Sequence, residues 1–224
     1  MFFAGCAILL CNALVAYGAD GVGHAPDPAL IKLTLTRFHS LTRAERAMLT
    51  FADAGNVERG EIAVAGSSAD PADPSNDPRH ADEWPHERDI RASLIKWLCE
   101  DPEVTPLINR AGIKILGARI VGGLNLSHVR VPFALEMRNC SIAQRIILKG
   151  TEIPHLDLNG SYVSEIDAIA LIVHGDLDLA DGFHASERLE SKTPGSTAPS
   201  IATVATFTIR RSLSRSTGEL TSPP

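Results

Sequence analysis

The sequence predicts an all-β solenoid of about three coils over residues 103–184, with an α-helical cap on its N-terminal side. The first observation is a repeat of paired apolar residues separated by one position, at Ile113/Ile115, Leu124/Leu126, Leu135/Met137, Ile146/Leu148, Leu156/Leu158, Ile166/Ala168 and Leu177/Leu179. Successive pairs begin 10 or 11 residues apart. A second apolar series keeps register with the pairs, at Ile120, Val131, Ile142, Ile153, Val163 and Val173. Chance does not easily maintain two registered series over so many steps.

The spacing within and between the pairs identifies the element. Alternate side chains of a strand face opposite ways, so both members of a pair face the interior. A period of this length is too short for a repeat unit that contains a helix, and it suits half of a coil whose full turn takes roughly 20 to 22 residues. Two positions before members of the second series lie small residues that fit tight corners, namely Ala118, Cys140, Thr151 and Ser161.

Four units of the repeat resemble degenerate pentapeptide repeats: ARIVG, CSIAQ, TEIPH and SYVSE each carry a small residue two positions before a central aliphatic residue. Pentapeptide-repeat proteins are right-handed, four-sided β-helices, so the resemblance implies that hand and cross-section. Longer segments resemble a bacterial group of pentapeptide-repeat-like proteins, some of which are identified as membrane-associated oxidoreductases. These segments are LTRAER (41–46), EWPHERDIRASLIKWL (83–98) and LGARIVGGLNLSHVRVPFALEMRNC (116–140). The resemblance covers residues 41–184 and brings no established catalytic residue with it.

Residues 1–25 are interpreted as an apolar signal-like or anchor segment, or as the product of a misassigned start codon. Residues 2–18 are nearly all apolar, which fits the apolar region of a signal peptide and is marginal for a membrane span. No Lys or Arg precedes them, although both export and anchoring normally require one. Both alternatives stay open. We expect the chain to be exported or membrane-anchored if residues 1–18 are real, with membrane association through residues 2–18, and to be cytoplasmic otherwise.

Residues 26–65 are predicted to form a small helical region. Its best-defined helix spans 40–55, where Thr42 and Glu45 have the spacing of a capping box. Residues 66–84 follow as a predicted disordered, acidic, Pro-rich linker, because they contain almost nothing to bury.

A capping helix is predicted over residues 85–102. Pro85 suits a first helical turn, and Asp101-Pro102 ends the helix. Four apolar residues fall on one face at helical spacing: Ile90, Leu94, Ile95 and Leu98. An amphipathic helix directly before a solenoid can cover the open end of the first coil.

Residues 185–224 are predicted to be a disordered or frameshifted tail. The repeat stops at Asp181-Gly182, and a run rich in Ser, Thr, Arg and Pro follows, whose brief apolar stretch 201–209 could add an edge strand. If the last coil is uncovered, its strand edges are unpaired, which predicts self-association through the open solenoid end.

Charge argues against nucleic acid as a partner. The chain carries 21 Lys and Arg against 27 Asp and Glu, a net charge of −6, and no basic cluster precedes residue 210. Acidic residues crowd the second half of the solenoid, at Asp157, Glu165, Asp167, Asp176, Asp178 and Asp181, and basic residues the first half, at Lys114, Arg119, Arg130, Arg138, Arg145 and Lys149. A uniformly acidic shaft that mimics DNA is therefore only a minor alternative.

We predict no catalytic, cofactor-binding or metal-binding residue and no cofactor. The four cysteines form no CxxC pair, and Cys99 and Cys140 are expected to be buried small hydrophobes. The segment DLDLADG at 176–182 lacks the ligand spacing of a calcium loop, so its aspartates are expected to be solvated. The spacing of His128, His155, His174 and His184 builds no ligand motif, and outward, solvated side chains are expected. No dinucleotide, phosphate-loop or nucleophile-elbow motif occurs.

These observations favour a non-catalytic interaction scaffold that presents flat polar solenoid faces to an unknown protein partner. The alternative is a membrane-associated oxidoreductase or an enzyme accessory subunit, which the family resemblance alone suggests.

Overall fold

A computed structural model describes residues 28–55 and 62–185 as a β-solenoid of about three turns with helices on its N-terminal side. The predicted segment 1–25 and the predicted tail from residue 186 onward lie outside the described residues. The helices are α1 (Ala29–Phe38), α2 (Arg43–Ala52) and α3 (Ala92–Glu100), with 3₁₀ turns at Pro74–Asn76, Pro78–Glu83, His86–Arg88 and Thr105–Leu107. The strands are β1 (Ala63–Val64), β2 (Asp89–Arg91), β3 (Ile113–Leu116), β4 (Arg119–Val121), β5 (Leu124–Asn125), β6 (Leu135–Arg138), β7 (Ser141–Ile142), β8 (Ile146–Ile147), β9 (Glu152–Ile153), β10 (Leu156–Asp157), β11 (Tyr162–Val163), β12 (Ile166–Asp167), β13 (Ile172–Val173), β14 (Leu177–Asp178) and β15 (His184–Ala185).

Four parallel sheets form the sides of the solenoid. Sheet I has the order β1-β3-β6-β10-β14, sheet II β2-β4-β7-β11-β15, sheet III β5-β8-β12 and sheet IV β9-β13. In sheet I, Ile113 pairs with Leu135, Leu135 with Leu156, and Leu156 with Leu177, which are steps of 22, 21 and 21 residues. One turn therefore has the length that the apolar series predicts, and the solenoid is confirmed.

The interior is filled by the two predicted apolar series. Ile113, Leu135 and Leu156 of sheet I are at most 1% exposed, and Ile142 and Val163 of sheet II are fully buried. The small corner residues are buried as well, and the two that carry a hydroxyl bond the main chain of the preceding coil. Ser161 Oγ donates to the Met137 carbonyl at 2.6 Å, and Thr151 Oγ1 donates to the Leu126 carbonyl at 2.7 Å. The corner residues are thus small because the chain bends there, and hydroxylated where a carbonyl needs a donor.

Two of the four corners of the coil place a residue in the left-handed region of backbone space in successive coils. At the corner between sheets I and II these residues are Gly117, Asn139, Gly160 and Asp181, and at the corner between sheets III and IV they are His128, Gly150 and Ala170. Gly160 has φ 66°, and a Cβ added there would lie 2.7 Å from Asn139 Oδ1. Glycine at residue 160 therefore satisfies both a conformational and a steric demand.

Helix α2 begins as predicted and seals the first coil. Thr42 Oγ1 accepts from the Glu45 amide at 3.0 Å, and the Thr42 amide donates to Glu45 Oε2 at 3.1 Å, which confirms the capping box. Met48 and Leu49, one turn after Glu45 on the same side of the helix, are fully buried, and the helix packs against β1 and β3. The apolar face of α2 therefore covers the end of sheet I.

The predicted capping helix over 85–102 is wrong in its first part. Helix α3 begins at Ala92, and the preceding Asp89–Arg91 is strand β2, which pairs in parallel with Arg119–Val121 of β4. Ile90 of this strand is buried, and its register partner in β4 is Ile120. The free main-chain groups of β4 need partners, and pairing with them outweighs the helical pattern of residues 89–91. Helix α3 itself packs against β5, so it covers the end of sheet III.

The disordered linker expected over 66–84 is also wrong, because this segment folds against the solenoid. Asn76 is fully buried and donates to the Ser68 and Asp70 carbonyls. Arg88 donates to the Ser75 carbonyl at 2.8 Å, to Asn76 Oδ1 at 2.9 Å and to the Gly117 carbonyl at 2.8 Å. Its guanidinium lies 3.8 Å from the centre of the Trp84 ring. Ala81 and Trp84 are the buried apolar residues of the segment, and these polar bonds, which hydropathy does not detect, order the rest of it.

Candidate functional site

The folded Pro-rich segment forms one wall of an open groove of about 840 Å³. The other wall is the corner between sheets I and II together with the outer face of sheet II. The lining residues that matter chemically are Asp73, Asp77, Arg79, Tyr162, Asp181 and His184. Asn139 at the corner donates to the Pro71 carbonyl at 3.0 Å, which ties the two walls together.

An aromatic pair forms the floor of this groove. Tyr162 of β11 and His184 of β15 are register partners, so their side chains leave sheet II on the same side, one coil apart. Their ring centres are 4.6 Å apart with an interplanar angle of 22°, which is a stacked arrangement. The solenoid therefore offers a two-ring platform beside the Pro-rich wall.

Carboxylates outnumber cations around the groove. Asp73, Asp77 and Asp181 face a single guanidinium, that of Arg79. Arg79 binds Asp77 through two nitrogens, and its hydrogen bond lowers the pKa of the Asp77 carboxyl to about 2. The amide of Ser75 donates to Asp73 and lowers the pKa of that carboxyl. Asp73 and Asp77 thus stay ionised at neutral pH, and the groove favours cationic groups.

A second polar cluster lies on the outer face of sheet I. Lys114, Glu136, Asp157 and Asp178 are register partners on successive strands, and we name this column the sheet I ladder. Lys114 Nζ lies 2.5 Å from Glu136 Oε1. Arg138 Nε donates to Asp157 Oδ2 at 2.6 Å, and Arg138 Nη2 lies 3.2 Å from Glu136 Oε2.

His155 joins the sheet I ladder from the neighbouring corner. Its Nε2 lies 3.9 Å from Glu136 Oε1 and 3.8 Å from Asp178 Oδ2, so it reaches the coils on both sides of its own. His128, His174 and His184 are exposed as predicted, but His155 is half-buried. The carboxylates of the ladder follow one another at 21 residues, a full coil. Acidic residues that recur at that interval, rather than at the spacing of a ligand motif, are the sequence signal for this cluster.

Asp157 corrects a prediction about the outer surface. Its place between the inward residues Leu156 and Leu158 predicts an outward side chain on a polar, solvated face; the side chain does leave the core, but it is enclosed, and Asp157 is 0% exposed. Arg138 covers it, and the Asn159 amide donates to Asp157 Oδ1 at 2.8 Å. Asp176, in contrast, is exposed as expected.

The polarised charge of the shaft has a structural origin. Bases of one coil pair with acids of the next, as in Arg130 with Glu152, and Arg145 with Asp167. Bases of the first half and acids of the second half are therefore partners in the same ion pairs. This pairing reduces the unmatched acidity on which DNA mimicry depends.

The two described cysteines are inert in the folded chain. Cys99 is 3% exposed and Cys140 is fully buried, as predicted. Burial raises the pKa of each thiol to about 12. A thiol that is protonated and enclosed is not a nucleophile.

Comparison of the chain with protein-family models, with curated proteins and with solved structures found no match. Within residues 28–55 and 62–185, no helix combines the length and the apolar character that a bilayer span requires.

Proposed function

We propose that this protein is a non-catalytic interaction scaffold, and that its partner docks in the groove between the Pro-rich segment and sheet II. The observation that carries the proposal is the groove itself, where the Tyr162/His184 stack lies beside an excess of carboxylates. Flat solenoid faces provide the rigid support, and the segment 66–84 provides the wall that makes one of them concave.

Main-chain pairing holds the strands that carry the floor of the groove, because β11 pairs with β7 on one side and with β15 on the other. Arg88 fixes the Pro-rich wall to the Gly117 corner. A preformed surface loses little conformational entropy on binding, so a modest contact area can suffice for a specific complex.

The chemistry of the groove selects the partner. Three carboxylates against one guanidinium attract a basic group and repel an acidic one. The stacked rings add a face on which an arginine side chain can lie. We therefore expect a partner that presents an extended segment with exposed Arg or Lys.

The pentapeptide-repeat resemblance is part of the same proposal. Inward residues follow one another at intervals of five around one coil. Leu156 and Ile166 lie in strands, and Thr151, Ser161 and Leu171 lie at the corners between them. Four sheets surround the core. Both features support a solenoid of the pentapeptide-repeat type, whose members present flat faces.

A peptide titration of the purified full chain tests the groove. The probe is a labelled peptide of alternating Arg and Ser, compared with one of alternating Glu and Ser, by fluorescence anisotropy. The Arg peptide should bind more tightly, and Tyr162→Ala or Asp181→Asn should weaken it by about tenfold, the size of one lost cation–π or charge contact. Glu165→Gln, which removes a carboxylate outside the groove, is the matched control and should leave the affinity unchanged. Equal binding of both peptides, or no effect of the groove variants, would rule the docking site out.

The oxidoreductase or accessory-subunit alternative rests on the family resemblance. An absorbance spectrum of the purified full chain distinguishes it from the scaffold. A bound flavin, or tight binding of a nicotinamide cofactor, would replace the scaffold proposal by this alternative.

A further inference from the structure

We propose that the sheet I ladder binds one divalent transition-metal cation of the Zn²⁺ type through His155, Asp157 and Asp178. One imidazole nitrogen and one oxygen from each aspartate lie within 4.8 Å of one another. Histidine nitrogen and aspartate oxygen are ordinary ligands of Zn²⁺, whereas Ca²⁺ and Mg²⁺ take oxygen ligands alone. The imidazole therefore directs the site toward a transition metal.

The solenoid repeat creates this donor set from distant parts of the sequence. Asp157 of β10 and Asp178 of β14 are paired in register, so their side chains leave sheet I side by side, about 4.8 Å apart at the backbone. His155 lies two residues before Asp157 at the adjoining corner and approaches Asp178 at 3.8 Å. Glu136 of β6, with Oε1 at 3.9 Å from His155 Nε2, brings a further oxygen to the same place.

The donor atoms need only a small adjustment to close on an ion. A tetrahedral ion with ligands at about 2.1 Å requires donor atoms about 3.4 Å apart. Asp157 is enclosed, but the side chains of His155 and Asp178 are 24% and 45% exposed. Rotation of these two side chains supplies the remaining movement, and the exposed Asp178 gives the ion a path of entry from solvent.

Arg138 does not block this site; it positions a ligand. Asp157 accepts from Arg138 at Oδ2 and from the Asn159 amide at Oδ1, and each carboxylate oxygen has a second lone pair. Hydrogen bonds of this kind orient metal-bound carboxylates in many metal sites. Lys114 and Arg138 are paired with Glu136 and Asp157, whereas the ion-pair partner of Asp178 in the described chain is His155. Arg138 attracts Asp178 only at longer range, so the cation would add positive charge close to this carboxylate.

Metal binding would join the last described coil to the one before it, because Asp178 and Asp157 belong to successive coils. Binding to the folded chain alone raises its stability by mass action, so the melting temperature should rise with the concentration of free Zn²⁺.

The experiment uses the tag-free full chain, freed of metal with a chelator and then dialysed. Zn²⁺ is titrated by calorimetry, Co²⁺ is followed by its visible absorption, and the melting temperature is recorded with and without Zn²⁺. We expect one ion per chain at this site, a rise of a few degrees in melting temperature, and a loss of at least about tenfold in affinity for His155→Gln and for Asp178→Asn. His174→Gln is the matched control, since His174 is an exposed histidine 3.7 Å from Glu152 on the adjoining face, and it should bind as the parent does.

Two outcomes overturn the proposal. One is the absence of a Zn²⁺-dependent rise in melting temperature in the parent chain. The other is a parent affinity that survives His155→Gln and Asp178→Asn together, which would place the ion elsewhere. Both substitutions lie at half-buried surface positions, so the variants should fold, and a circular dichroism spectrum checks this.

Discussion

The two ends of the solenoid differ in what covers them, although the same repeat runs through both. At the N-terminal end, β1 and β2 continue sheets I and II, helix α3 packs against the end of sheet III, and Ile113 and Ile115 are 0% exposed. At the C-terminal end, Leu177 is half-buried and Leu179 is 37% exposed, although both occupy inward positions of the repeat. In a solenoid, an inward position is buried only where the next coil or a cap covers it. Equivalent residues therefore contribute unequally to stability.

The largest expected effect contrasts a central with a terminal position in one column. Leu156→Asp places a carboxylate in a site that is 1% exposed and should destabilise the chain by more than about 4 kcal/mol, because the charge has neither water nor a partner. Leu177→Asp, one coil later in the same register, keeps access to solvent and should lose only about 1–2 kcal/mol. Urea denaturation followed by circular dichroism measures both values. Similar losses at the two positions would mean that the last coil is covered as well as the middle one.

How far the sequence predicts this fold depends on what kind of interaction orders each part. The column of Leu135, Leu156 and Leu177 is visible in the sequence because apolar burial repeats at a fixed interval. The Pro-rich segment is not, because Asn76 and the distant Arg88 order it through hydrogen bonds. No local pattern connects the two residues.

The cap and the candidate sites show the same limit. Residues 90–98 do have helical periodicity, but the first of them form strand β2 instead, because they pair with β4. Only tertiary contacts determine that outcome. Neither Tyr162 with His184 nor His155 with Asp178 has motif spacing. Such pairs become neighbours only after the coil length is known, at about 21–23 residues. Once the turn is established, the outward columns can be read from the sequence as readily as the inward ones.

A smaller effect separates two outward aspartates. Asp157→Ala removes the partner of Arg138 and the acceptor of the Asn159 amide, and it should destabilise the chain by about 1–3 kcal/mol. Arg138 keeps Glu136 and partial access to water, which limits the loss. Asp176→Ala, at an exposed position, should leave the urea midpoint where it is. A silent Asp157→Ala would show that the outward columns are solvated throughout, as the sequence alone suggests.

The last contrast concerns association rather than stability. Strands β12 to β15 end their sheets with one edge unpaired among the described residues, whereas the opposite end is covered by helices and by β1 and β2. We propose that two copies associate through these like ends, because helices α2 and α3 pack against the strands of the opposite end and hinder a head-to-tail contact there. Ile169, in the loop between β12 and β13, is 59% exposed and lies beside the open end, whereas Val121 is 45% exposed and lies near the covered end.

Substitutions at these two residues test the proposal. Ile169→Lys should abolish any dimer seen by sedimentation velocity over a wide range of protein concentration and leave the urea midpoint nearly unchanged. Val121→Lys adds the same charge at the other end and should leave the dimer intact. A parent chain that sediments as a monomer at every concentration, or a dimer lost only with Val121→Lys, would mean that the open end is not the contact.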